Sequence, residues 1–160
     1  MGFFAAVESG YRNYFTFTGR ATRAEYWWFT LWNMLLVIGM VTFVAGGAVL
    51  HHQGNASGLL LILLGGVMAL LVLATAIPSI ALQVRRLHDA GTTGYWVLAQ
   101  LAVSFLRSFV HVVDHANPNH SLHMVGLLLT VMSLGIGLIV FVYLVQPSKP
   151  NYRNDPFARY

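Results

Sequence analysis

The chain has no cysteine, which excludes disulfides, thiolate catalysis, Cys-ligated zinc, iron–sulfur clusters and covalently attached c-type haem. It is also poor in charge: only 9% of its 160 residues are Asp, Glu, Lys or Arg, and only 5 are acidic. Soluble domains carry about 25%, so a water-soluble globule is excluded in favour of a membrane protein. What fills the chain instead is apolar, with 57% hydrophobic residues and a mean hydropathy of +0.65. No linker, low-complexity stretch or repeat beyond two pairs of spans interrupts it, so residues 1–160 read as one integral membrane domain.

Four apolar runs predict four transmembrane helices, at about 26–50, 59–84, 95–113 and 122–145. Each is close to or above the ~20 residues needed to cross a ~30 Å hydrocarbon core. The third is the shortest, and Arg107 interrupts it. The net charge of +4 would suggest nucleic acid in a soluble protein; here its placement points to the membrane surface. Every Lys and Arg except Arg107 falls on one side of the four spans, so the positive-inside rule predicts both termini in the cytoplasm. Residues 1–9 contain Glu8 and no basic residue, unlike a cleaved signal peptide, and the first helix is expected to remain in the mature protein.

Before the first span, Phe3, Phe4, Val7, Tyr11, Tyr14 and Phe15 recur near helical spacing among Glu8, Arg12 and Asn13. That pattern predicts an N-terminal interfacial amphipathic helix, giving an all-α membrane protein with four spans and one surface helix. Small-residue spacings at Thr42 and Gly46, Gly65 and Ala69, and Ser133 and Gly137 suit close helix approach. Pro78 removes one backbone hydrogen bond and should kink the second span.

Two dense motifs border the spans on the basic side. In the first, Thr16 to Trp28, Gly19 permits a turn, and Thr22 with Glu25 forms a capping box before the first span. In the second, Arg85 to Trp96, the residues read RRLHDAGTTGYW, where Gly91 and Gly94 supply turns. Antiparallel pairing of the first two spans brings Glu25 towards Arg85 or Arg86, and Asp89 towards Arg20 or Arg23. Arg85 and Arg86 also suit anionic lipid phosphates. His88 beside Asp89 would serve acid–base chemistry only if their side chains met; adjacent residues on a helix diverge.

Six of the seven His fall on the opposite side, and His111, Asp114, His115, His120 and His123 cluster around one hairpin. Imidazole with carboxylate is donor chemistry for zinc or copper, and the same rings suit pH sensing. Arg107 lies about six residues, or ~9 Å, inside the outer end of the third span, where a charge costs ~2.5–3.5 kcal/mol on insertion scales. It must snorkel, pair, or face a cavity, with Asp114 two turns on as a local counter-charge.

The patches NYFTFTGRATRAEYWWF and RRLHDAGTTGYW and the tail PNYRNDP at residues 150–156 resemble the bacterial domain of unknown function family 805, the YhaH-like small inner-membrane proteins. By that resemblance Gly19, Arg20, Arg23, Glu25, Tyr26 and Trp27 form its first motif. Arg85, Arg86, Leu87, His88, Asp89, Gly91 and Gly94 form its second. Thr93 stands where Ser is usual and Tyr95 where Trp is usual, and the tail lacks the family's Gly after its aromatic. The resemblance implies a bacterial inner-membrane location and no established activity.

The function expected is therefore non-enzymatic, with catalytic and cofactor residues absent and the motifs organising lipid headgroups or a protein partner in a homo-oligomer. The competing expectations are a small oligomeric transporter or channel and a metal or pH sensor built on the outer histidines. An enzyme would need His88 and Asp89 to act on a lipid headgroup or isoprenoid phosphate held by Arg85 and Arg86. No span contains an acid, which counts against proton-coupled transport.

Overall fold

A computed structural model describes residues 1–116 and 120–147, with the side chains of residues 120 and 121 outside that description. Among the described residues all regular structure is helical: α1 (Phe3–Arg12), α2 (Arg23–His52), α3 (Ser57–Asp89), α4 (Tyr95–Ala116) and α5 (His120–Val145). The helices α2 to α5 are each long and apolar enough to cross a membrane. Large apolar side chains stay exposed on all four, among them Leu70 at 66% and Phe105 at 77%. Such surfaces are excluded from water-soluble monomers and natural against lipid tails.

The helices run past the apolar stretches that foretell them. Helix α3, with 33 residues, is ~50 Å long at ~1.5 Å per residue, well beyond a ~30 Å core. Its last turns carry Arg85, Arg86, His88 and Asp89, all buried in protein. Two glycines with positive φ stop helices. After α2, Gly54 (φ 76) donates to His51 O and Asn55 N to Leu50 O. After α3, Gly91 (φ 78) donates to His88 O and Thr92 N to Leu87 O. Both are Schellman motifs, whose left-handed residue is cheapest as glycine.

The chain divides into two compact units, one of Met1–Thr16 with Ala24–Leu82, the other of Phe17–Arg23 with the described residues from Gln83 onward. In the first, α1 buries Ala6 and Gly10, and a Cβ at Gly10 would run into the Phe29 ring. Ser9 Oγ donates to Glu25 Oε1 at 2.8 Å, and Trp32 Nε1 donates to Tyr11 Oη at 3.1 Å. Helices α2 and α3 touch through small residues: a Cβ on Gly47 would lie 2.7 Å from Gly58 O and 2.8 Å from Ile62 N. The contact uses Gly47 and not the Gly46 expected from spacing, where a Cβ would meet open space. Gly65 does pack, against Val44. Helix α3 stays helical through Pro78, and the Tyr14 hydroxyl donates at 2.7 Å to Ala74 O, the i−4 carbonyl that proline cannot serve.

In the second unit α4 and α5 form an antiparallel pair. A Cβ at Gly137 would lie 3.4 Å from Gln100 Nε2.

Candidate functional site: an arginine–aspartate clamp on two helix ends

The last four carbonyls of an α-helix have no partner within it, and in a poorly solvated setting each must find a donor elsewhere. At the end of α3 all four do. Arg86 O accepts from Ala90 N, Leu87 O from Thr92 N, and His88 O from Gly91 N. The fourth, Asp89 O, accepts from an Arg20 guanidinium nitrogen at 3.2 Å. The segment bearing Arg20 is held alongside by Ala21 N donating to Arg85 O at 3.3 Å, and Gly19 turns it with φ 87.

The Asp89 carboxylate lies at the centre. Its Oδ1 is 3.2 Å from Arg20 Nε, and its Oδ2 pairs with Arg86 across one turn of α3. The expected partnership of Asp89 with Arg20 or Arg23 is thus made by Arg20, and Arg86 joins it. Arg86 is the largest fully buried side chain among the described residues, at 0% exposure, and a buried charge persists only when paired and hydrogen-bonded.

The remaining Arg86 donors close off α5. Arg86 Nε donates to Leu144 O at 3.2 Å and another guanidinium nitrogen donates to Gln146 O. Arg23 reaches Val145 O at 3.5 Å, and Gln146 N donates to Val142 O. Cationic donors at a helix C-terminus also oppose its negative dipole end. The basic motif residues expected to touch lipid phosphate are, for Arg20, Arg23 and Arg86, bound to backbone carbonyls and Asp89.

Gly94 has a second, steric role: a Cβ there would lie 2.7 Å from Val84 Cγ1 and 3.4 Å from His88 Nε2. Glu25 sits in the first turn of α2, where its charge suits the positive end of the dipole, and Thr22 immediately precedes that helix. Trp27 is 40% exposed beside it. Neither Ser9 nor Tyr14 was singled out from sequence as a partner, because nothing local marks contacts that span 16 and 60 residues.

On the opposite side, His111, Asp114 and His123 line a cleft between α4 and α5 that also contains Arg107. His123 Nδ1 is 3.6 Å from Asp114 Oδ2. Among the described residues no three His, Asp or Glu side chains are placed to share a metal ion. His115 is exposed on α4, and the His120 side chain lies outside the described residues, as does the 150–156 tail motif.

Residues 14–154 match the family described as protein of unknown function, DUF805. The inner membrane protein YhaI of Escherichia coli strain K12 is 40% identical over 87 residues, covering 54% of this chain and 63% of YhaI. The inner membrane protein YhaH of the same strain is 35% identical over 89 residues, covering 54% of this chain and 64% of YhaH. The chain therefore spans a little under two thirds of the length of these relatives. No solved structure matches. With four membrane-crossing helices and relatives named for the inner membrane, this is a multi-pass inner-membrane protein, and it belongs to the DUF805 family.

Proposed function

We propose that this chain is a non-catalytic membrane-organising protein that gathers anionic lipid headgroups around an interfacial N-terminal helix. The observation that carries this reading is the commitment of Asp89 to Arg20 and Arg86 and of Arg86 to the end of α5. Side chains so engaged are fasteners, which leaves contact with the membrane to exposed surface elsewhere, and the outer face of α1 supplies it. That surface is amphipathic. Phe4 is 84% and Phe15 72% exposed, while Glu8 and Arg12 form an exposed pair on α1. Aromatics with a cation favour the headgroup level, and a basic residue there adds ~1 kcal/mol of attraction to anionic lipid. The charge asymmetry supports a cytoplasmic placement for this helix and both termini.

The test is reconstitution in nanodiscs of 20% phosphatidylglycerol in phosphatidylethanolamine, reading the lipid retained around the protein by native mass spectrometry. Arg12→Gln with Phe4→Ser should lower phosphatidylglycerol enrichment without moving the melting temperature. Arg86→Gln should lower the melting temperature. Unchanged enrichment in the first variant removes the lipid-gathering role, and an Arg86→Gln protein of normal stability removes the fastening role.

A further inference from the structure

The cleft between α4 and α5 has a volume of about 520 Å³, and its walls are two facing helical stripes. On α4 the lining residues Arg107, Val110, His111 and Asp114 follow i, i+3, i+4, i+7 spacing, so they share one face. On α5, His123, Gly126, Leu127 and Thr130 do the same, with Leu122 beside them. The cleft is open at Gly126, where a Cβ would meet only Val110 Cγ1 within 4 Å, at 3.8 Å. The cleft thus combines apolar wall at Val110, Val112, Leu122 and Leu127 with polar groups at Arg107, His111, Asp114, His123 and Thr130.

The charges in it are unequally satisfied. Asp114 faces His123 at 3.6 Å. Arg107 has no hydrogen bond or ion pair among the described residues, although it lies within the apolar span of α4. A guanidinium held there keeps a counter-anion, and its planar fork fits a phosphate or carboxylate with two parallel hydrogen bonds. An anion with no chain would leave Val110, Leu122 and Leu127 facing an unfilled groove; an anionic amphiphile satisfies both walls at once.

We propose that this cleft binds one anionic amphiphile, its phosphate or carboxylate on Arg107 and its hydrocarbon chain along Val110, Leu122 and Leu127. The site shares no residue with the surface around α1, so it stands or falls separately from the proposed headgroup gathering.

The experiment is native mass spectrometry and equilibrium binding on the delipidated full chain in detergent. The probes are oleate, phosphatidylglycerol and inorganic phosphate, added separately and at equal concentration. One amphiphile per chain should bind, with oleate against phosphatidylglycerol deciding between a carboxylate and a phosphate head. Arg107→Gln should weaken that binding at least 10-fold, and Arg107→Lys, which keeps the charge but not the planar fork, should recover only part of that loss. Gly126→Leu fills the groove without altering a charge and should also abolish it, with the melting temperature checking that each variant is folded. Arg12→Gln should leave it intact. Equal binding by the wild type, Arg107→Gln and Gly126→Leu would overturn the proposal, as would saturation by inorganic phosphate with no preference for the amphiphiles.

Discussion

The Tyr14 hydroxyl takes the place of the backbone donor that Pro78 lacks, reaching Ala74 O at 2.7 Å. A proline inside a membrane helix strands a carbonyl with no water to serve it, and a side-chain donor from elsewhere in the chain removes that penalty. Tyr14→Phe should therefore destabilise the protein by about 0.5–1.5 kcal/mol. In a Pro78→Ala background, where the helix regains its own N–H, the same substitution should cost markedly less. Thermal unfolding of the four proteins of this cycle measures the coupling, and additive effects would sink the assignment.

Arg86 and Asp89 form a buried pair whose separate halves are worse than none. Removing one partner of such a pair costs about 3–5 kcal/mol, because the other charge stays buried alone. Arg86→Gln and Asp89→Asn should each reduce folded yield sharply. Arg86→Met combined with Asp89→Leu should recover part of it. Arg20→Gln should have a milder effect, since Arg20 is 30% exposed and water replaces some of what it loses. Fluorescence-detected size exclusion of the variants ranks them.

Gly91→Ala places a Cβ at φ 78, a conformation that costs an L-residue about 1–2 kcal/mol. Asn tolerates that region, so Gly91→Asn should sit between glycine and alanine in melting temperature. An alanine variant as stable as the wild type would mean that the α3 stop is set elsewhere.

Gly46 and Gly47 are neighbours with opposite expectations. Gly47→Ala drives a methyl into Gly58 O and the Ile62 backbone, an overpacking that costs about 1–3 kcal/mol. Gly46→Ala enters open space and should change stability by less than about 0.5 kcal/mol. Equal effects at the two positions would show that the α2–α3 contact has a different register.

Much of the architecture was legible in the linear chain. The number and order of the long helices follow from apolar runs and bordering charges, and α4 appeared despite Arg107. The second motif was also legible in part: the Gly91 turn and the pairing of Asp89 with Arg20 were both expected and are both present. The role of Arg86 as the cap of α5 was not, because its acceptors Leu144 O and Gln146 O lie 58 and 60 residues away. Backbone carbonyls carry no sequence signal, so a side chain that serves them looks like a free cation.

By itself the sequence determined that this protein lives in lipid and how many times its helices can cross, because hydrocarbon thickness acts on runs of neighbouring residues. Only the tertiary structure decided which faces meet: Gly47 over Gly46, Tyr14 on Ala74, and Arg107 opening onto the α4–α5 cleft. The physical reason is rotational. One residue turns an α-helix by ~100°, and against a solvent as apolar as the protein interior no hydrophobic stripe marks the inward side.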